Sequence, residues 1–371
     1  MDSKEFWESP DSHVFCNPRL SDAEQARIAE LPSRFPHLPG HVWIGTSGSS
    51  GPKKWVALSK KALLHSAQSV NQHLFVTKQD RWLNPLPHFH VGGLGVQARG
   101  YLGQFVVENC TWDALQFHQQ ALANKTTLSA LVPTQIFDLV SHQLTAPCSM
   151  RAVIVGGGRL SDHLYALAIQ LGWPLLPSYG LTECASQVAT LALKDVFTKS
   201  PQLKLLSHIN AESTADGFLK IQSNALLTGY AIDVEGDWQL IDPKKEGWLL
   251  TGDKGTIHDS LLEIFGRDRD FFKIGGENVS LQRLEKAWEE VIFAFSYSSD
   301  SSLIPVEDPR LGHVIHLAVT KASANIEPLV VAFNEKVLPF EKIRKVHQID
   351  NIPKTTLGKV CYQELIKKLI I

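Results

Sequence analysis

From about residue 41 to residue 190, short apolar or β-branched runs alternate with stretches whose apolar residues recur at helical spacing. HVWIGT, RWLNPL, QFVVEN, TLSALV, RAVIV and PLLPS predict strands. Helices are expected after Ser59, Thr111, Pro133 and Ser161, residue types suited to an N-cap or a first turn. This alternation predicts a mostly parallel sheet covered by helices, because parallel neighbours need a helix-length crossover. Beyond about residue 200 the runs GFLKIQS, GDWQLID, EGWLLTGDKGTI and LLEIFG are short and separated by turn residues, which predicts a β-rich subdomain. From about residue 268 the pattern becomes α+β. SLQRLEKAWEE is a helix capped by Ser280, VIHLAVT a strand, EPLVVAFNEKVL a helix, and YQELIKKLI an amphipathic closing helix. The first 40 residues hold one helical stretch, SDAEQARIAEL. The expected class is α/β, with a large domain over residues 1–267 and a small α+β domain over residues 268–371.

Composition narrows the function classes. The chain has 371 residues, which at ~150 per domain means two or three domains. Apolar residues make up 44% and charged ones 20%, so the chain can bury a core and lacks the signature of disorder. Lys and Arg number 36 against 38 Asp and Glu, without long blocks of one sign, which disfavours a nucleic-acid or membrane-surface binder. The start, MDSKEFWESP, has no basic region followed by an apolar one, so a cytoplasmic protein is expected. Cys16, Cys110, Cys148, Cys184 and Cys361 are odd in number and contain no Cys-x-x-Cys, which points away from a disulfide framework or a zinc site.

Candidate chemistry begins at Thr46, Ser47, Gly48, Ser49, Ser50, Gly51, Pro52, Lys53 and Lys54. Glycines admit an anion close to backbone N–H groups, hydroxyls donate to phosphate oxygens, and lysines neutralise charge. Pro52 after Gly51 excludes the common kinase and GTPase loop, which needs Lys and then Ser or Thr there; alone, the stretch also reads as a flexible turn. Gly156, Gly157 and Gly158 follow the strand RAVIV, but Ser161 stands where a dinucleotide fingerprint needs glycine. Ser178, Tyr179, Gly180, Leu181, Thr182 and Glu183 end another strand, with a ring for stacking and hard oxygens suited to Mg²⁺. Thr251-Gly252-Asp253, Gly266-Arg267-Asp268-Arg269-Asp270, Ile274-Gly275-Gly276-Glu277-Asn278 and Pro353-Lys354-Thr355-Thr356-Leu357-Gly358-Lys359 follow in order.

In this order and spacing, the stretches resemble the signature motifs of the adenylate-forming superfamily of acyl-CoA synthetases, luciferases and peptide-synthetase adenylation domains. The resemblance covers roughly residues 41 to 362. Pro87-His88-Phe89-His90-Val91-Gly92-Gly93 followed by Arg99, Leu131 to Gln135, and Gly180 to Ser186 resemble the o-succinylbenzoate-CoA ligase subfamily of menaquinone biosynthesis.

The resemblance implies a ligase that joins a carboxylic acid to AMP from ATP and Mg²⁺, then to coenzyme A, with a small-molecule acid as partner. It implies that Thr46, Ser47, Gly48, Ser49, Gly51 and Lys54 hold the phosphates, Glu183 and Thr182 position Mg²⁺, and Tyr179 and Gly157 hold adenine. Asp253 and Arg267 take the ribose, Lys359 is the catalytic cation of adenylation, and Arg269 is the hinge of a mobile C-terminal domain. Gly275, Gly276 and Glu277 match the coenzyme A loop. Arg99 is expected to bind a second carboxylate of the acid, with His90 and Ser186 lining the acyl pocket, against a surface salt bridge and a structural histidine as the plainer roles. His88 and His90, without further ligands nearby, do not make a zinc site. Two departures stand out: Lys53 and Trp55 replace a common Pro and Gly, and only about 45 residues precede the phosphate loop, so the N-terminal region is shortened. A homodimer or rearranged loops are expected to cover the apolar surface this leaves. The rival readings are a ligase for another aryl or acyl acid and a catalytically silent homologue.

Overall fold

The computed structural model describes residues 4–45, 54–267, 270–295, 297, 299–320, 326–355 and 360–369. Two compact units are present. One comprises Met1–Leu160, Leu164–Thr251 and Thr256–Glu263, the other Ser161–His163, Gly252–Gly255 and Ile264–Ile371.

In the larger unit, Val106–Asn109, Arg81–Asn84, Leu128–Leu131, Ala152–Val155 and Leu175–Leu181 lie side by side in that order, all parallel. These are the runs read as strands of a parallel sheet. Their side chains alternate between two apolar clusters. Leu128, Ala130, Ala152 and Ile154 face one cluster, while Leu83, Leu131, Val153, Val155 and Leu175 face the other. Burial on both faces explains why the inner strands Leu128–Leu131 and Ala152–Val155 are almost continuously apolar. The helices Lys60–His73 and Val91–Gly103 pack together on the first face. Ser59 caps the former by accepting from the Ala62 amide at 3.0 Å.

Past Leu181 the same sheet continues through Ser186–Leu191, Leu203–Leu205, Leu261–Arg267, Leu249–His258, Phe218–Gln222 and Asn210–Ser213. Its first added strand turns antiparallel. The β-rich stretch after residue 200 is shared between two sheets, because Gly229–Val234 and Asp237–Ile241 join His13–Phe15, His41–Gly45 and Lys54–Ser59 in a separate five-stranded sheet. Thus HVWIGT is a strand outside the parallel sheet. It pairs antiparallel with Lys54–Ser59 (Gly45 opposite Trp55), a strand that opens on a lysine and whose apolar run, Trp55 to Leu58, is short. Its alternation is also two-faced: Val42 and Ile44 join the main core, whereas Trp43 packs with Trp55, Ala57 and Trp238. The helix expected after Thr111 starts two residues later, as Ala114–Ala123, because the Asp113 carboxylate caps it by accepting from the Gln116 amide at 2.9 Å.

In the smaller unit, Glu277–Ser280, Phe271–Ile274, Gly312–Thr320 and Ser301–Asp308 form a sheet in that order, and Ile343–Ile349 pairs parallel with Gly312–Thr320. Ser280 caps the helix Leu281–Ala294, whose Leu281, Leu284, Trp288 and Val291 form one apolar stripe against that sheet. Leu365 of the helix Tyr362–Leu369 packs on Ile304, Ala318 and Ile352. No helix among the described residues is long and apolar enough to cross a membrane.

Candidate active site

The parallel strands of the larger unit deliver candidate residues at their carboxyl ends, where open α/β sheets bind ligands. Gly157 follows Val155, Thr182 and Glu183 follow Leu181, and His90 stands six residues after Asn84 as the N-terminal boundary of the helix Val91–Gly103. Gly157 has φ +76°, a conformation side chains rarely tolerate, and it stays solvent-exposed. Tyr179 lies half-buried on the strand Leu175–Leu181.

At Thr182–Cys184 the chain makes one tight 3-10 turn and reverses into Ser186–Leu191. Gly180 makes this possible, since a Cβ there would stand 1.9 Å from the Ser186 carbonyl oxygen. Beyond the turn, Ala185 (φ 52°) and Ser186 (φ 110°) hold backbone conformations unfavourable to side chains. The fully buried Cys184 and Ala185 anchor this strain in the core, and the Leu227 amide donates to the Glu183 carbonyl at 2.8 Å. The Glu183 side chain is therefore carried on a fixed backbone. Its Oε1 accepts from the Tyr230 hydroxyl at 2.9 Å. Burial, and then the neighbouring Glu183 charge, push the Tyr230 phenol well above its usual range, so it remains a donor. Tyr230 sits on Gly229–Val234, paired with Lys54–Ser59, and the Lys54 ammonium lies 5.1 Å from its ring centroid. Of the phosphate-loop candidates, Lys54 is placed here; Thr46, Ser47, Gly48, Ser49 and Gly51 lie outside the described residues.

Glu183 is suited to Mg²⁺ brought in with a nucleotide. One carboxylate oxygen is held, the second has no partner among the described residues, and Thr182 adds a neighbouring hydroxyl. No group of three or more His, Cys, Asp or Glu that could cage a metal occurs among them. One carboxylate completed by phosphates and water is the coordination Mg²⁺ commonly takes.

A second constellation surrounds Arg99. Its side chain points from the helix Val91–Gly103 into the main core and is 2% exposed. The guanidinium carbon lies 5.4 Å from the Trp82 ring centroid. Its Nε has no hydrogen-bond partner, and no carboxylate pairs with the guanidinium among the described residues. Burial pulls its pKa down to about 9, which leaves it charged at neutral pH. Gly95, one turn earlier, lies beside both Arg99 and Ser186: a Cβ there would stand in ordinary contact, 3.5 Å from Arg99 Nη2 and 3.6 Å from Ser186 Cβ. Arg99 and Ser186 are thus brought together, as a surface salt bridge would not require. The His90 ring stacks at a tilt on Phe89, with centroids 4.6 Å apart.

In the smaller unit, Asp253 is 8% exposed and accepts from Arg267 Nε at 3.1 Å. Arg267 closes the strand Leu261–Arg267, where the Asp270 carboxylate accepts from its amide at 2.9 Å. Gly275 (φ 61°) and Gly276 (φ 92°) form the two-residue turn between paired Ile274 and Glu277, and all three candidates are exposed. Arg269 and Lys359 lie outside the described residues. The bases of the latter's segment are tied, because Lys354 pairs with Val360 and the Cys361 amide donates to the Pro353 carbonyl at 2.8 Å. Sequence reading missed Tyr230, Trp82 and Gly95. A lone tyrosine after glycine, a core tryptophan and a helical glycine carry no signal until the fold puts them beside a charge.

Residues 41–210 match the AMP-binding enzyme family model. A 2-succinylbenzoate–CoA ligase of Bacillus cereus (strain AH820) is 25% identical, over 97% of this chain and 79% of the relative. The structure resembles o-succinylbenzoate CoA synthetase (MenE) from Bacillus subtilis in complex with the acyl-adenylate intermediate OSB-AMP, with TM-score 0.77, 24% identity and coverage of 87% of this chain and 68% of that one. The same enzyme in complex with ATP and magnesium ion gives TM-score 0.76, 24% identity, and 88% and 69% coverage. Residues 41–210 thus match the AMP-binding enzyme family, in a chain whose fold resembles that of the Bacillus subtilis synthetase.

Proposed function

We propose that the protein is an ATP-dependent acid–CoA ligase whose acid is o-succinylbenzoate. One oxygen of the substrate carboxylate attacks the α-phosphorus of ATP, the bond to the bridging oxygen breaks, and pyrophosphate leaves with the acyl-adenylate remaining. The coenzyme A thiolate then attacks the acyl carbon and displaces AMP. Both attacks bring anions together, so the protein's main task is to manage charge. Lys54, with Thr46, Ser47, Gly48, Ser49 and Gly51, holds the outer phosphates. Glu183 and Thr182 take the Mg²⁺ that accompanies ATP, which when bound withdraws charge from the phosphate oxygens. Tyr179 and Gly157 flank adenine, and Asp253 accepts from the ribose hydroxyls beside Arg267. Lys359 bridges the attacking carboxylate and the α-phosphate. Residues 268–371 act as a mobile domain hinged at Arg269, bringing Gly275, Gly276 and Glu277 to the thiol channel for the second step. His90 lines the acyl pocket.

The observation that carries the substrate reading is the charge of Arg99. A buried guanidinium without a carboxylate partner is costly to a fold and makes sense where the ligand supplies the anion. o-Succinylbenzoate supplies one, because its ring carboxylate is a spectator while its succinyl carboxylate is activated. Ser186, which like Arg99 lies beside Gly95, is a second donor to that carboxylate. Pyrophosphate release with Mg-ATP across o-succinylbenzoate, benzoate and medium-chain fatty acids, with and without coenzyme A, tests the reading. Selective release with o-succinylbenzoate and a coenzyme A thioester by mass are expected. Release with another acid alone would overturn the substrate, and no release with any acid would favour a silent homologue. Lys359→Ala is expected to bind ATP normally and to slow adenylation about 10²–10³-fold. Homodimerisation remains an expectation, decided by light scattering.

A further inference from the structure

Glu183, in the turn between Leu175–Leu181 and Ser186–Leu191, and Lys54, at the start of a strand of the other sheet of the larger unit, carry opposite charges, yet they form no ion pair among the described residues. Tyr230 touches both. Its hydroxyl donates to Glu183 Oε1 at 2.9 Å and its ring faces the Lys54 ammonium at 5.1 Å. We propose that Tyr230 is a positioning residue for the metal–nucleotide substrate: it aims the Glu183 carboxylate and holds Lys54 apart from it, so that both charges stay available to Mg²⁺ and phosphate.

Three features of its surroundings fix the phenol. Gly229, just before it, lies so close to the next strand that a Cβ would stand 3.0 Å from the Ile241 carbonyl oxygen, which clamps the start of the strand. Lys244 Nζ donates to the Leu227 and Thr228 carbonyls at 2.7 and 3.2 Å, and the Thr228 amide donates to the Ala57 carbonyl at 2.8 Å. The Leu227 amide donates to the Glu183 carbonyl, so the segment that leads to Tyr230 also binds the backbone of the residue that Tyr230 orients. A neutral donor suits this place better than a cation. It satisfies one carboxylate oxygen without cancelling the charge that the metal needs.

The inference rests on the proposed role of Glu183, and the test separates the two. ATP affinity is measured by calorimetry with Mn²⁺ and again in EDTA, for the wild type, Tyr230→Phe, Glu183→Gln and the double variant, with thermal midpoints alongside. Tyr230→Phe keeps the ring over Lys54 and removes only the hydroxyl. It is expected to lower the metal-dependent gain in ATP affinity about tenfold and to leave metal-free affinity within about twofold. In the Glu183→Gln background the hydroxyl's removal is expected to add nothing. Full gain in Tyr230→Phe while Glu183→Gln loses it would overturn the role of Tyr230 alone. Full gain in Glu183→Gln would overturn the role of Glu183 and that of Tyr230 with it. An equal fall from Tyr230→Phe in both backgrounds, tracking a lower thermal midpoint, would make the tyrosine merely structural and contradict the inference.

Discussion

Two charged corners of the larger unit are prepared in opposite ways. Around Glu183 the fold has completed its work: the backbone is pinned by buried Cys184 and Ala185, one carboxylate oxygen is bonded to Tyr230, and Lys54 rests on the same ring. Around Arg99 the fold has stopped short. A guanidinium that is 2% exposed has an aromatic face and Ser186 nearby across Gly95, but no anion among the described residues. The difference tracks how specific each ligand is. A nucleotide phosphate is common to every substrate of this chemistry and can be met by prearranged groups, which lose little on binding. An acid is recognised best by a site left incomplete without it, because a competitor lacking the anion leaves the buried charge unpaired.

The comparison breaks most visibly at Arg99. Arg99→Met should leave the unliganded protein's thermal midpoint unchanged or raise it by about 2–4 °C, since an unpaired buried charge is replaced by an apolar chain. The same variant should lower kcat/KM for o-succinylbenzoate about 10²–10³-fold. Opposite signs for stability and activity are the mark of a residue whose partner is the substrate, and scanning calorimetry with steady-state kinetics reads both. The Glu183 corner should respond differently. Glu183→Gln is expected to cost about tenfold to a hundredfold in Mg-ATP binding while changing the KM for the acid little, as the roles proposed for the two corners require. Smaller still is the pH response of His208, a half-buried residue whose two ring nitrogens are buried. Burial, and then the nearby His65, pull its pKa from an ordinary 6.5 to about 4, and neither ring nitrogen has a hydrogen-bond partner. The unfolded chain therefore binds the proton more readily than the folded one, so its contribution to stability is complete above about pH 6.5 and is lost as the pH falls toward 4. Denaturant titrations over that range should show a weaker slope in His208→Phe.

How far the sequence revealed these corners depended on the residue. Parallel strands buried on both faces announce themselves as apolar runs, so Leu128–Leu131, Ala152–Val155 and the strand leading to Glu183 were legible, and with them the end of the sheet where ligands bind. Arg99 was legible as a candidate because it lies in a motif, but its burial was not, since helical spacing does not say that a cation points inward. The strand Lys54–Ser59 was hidden because its apolar run, Trp55 to Leu58, is short and follows Lys54 directly, and so the sheet that carries Lys54 and Tyr230 together was hidden too. Tyr230 is separated from Glu183 by 47 positions and meets it only because Gly229–Val234 leaves the β-rich stretch to pair with Lys54–Ser59. Long-range pairing of this sort has no local signature.

Arg99 is proposed to read the second carboxylate of the acid. This role is tested most directly by the ratio of kcat/KM for o-succinylbenzoate to that for 4-oxo-4-phenylbutanoate, which lacks the ring carboxylate, measured in the wild type and in Arg99→Met. A large preference for the dicarboxylate that collapses to near unity in the variant is the predicted result. A ratio that Arg99→Met leaves unchanged would contradict it.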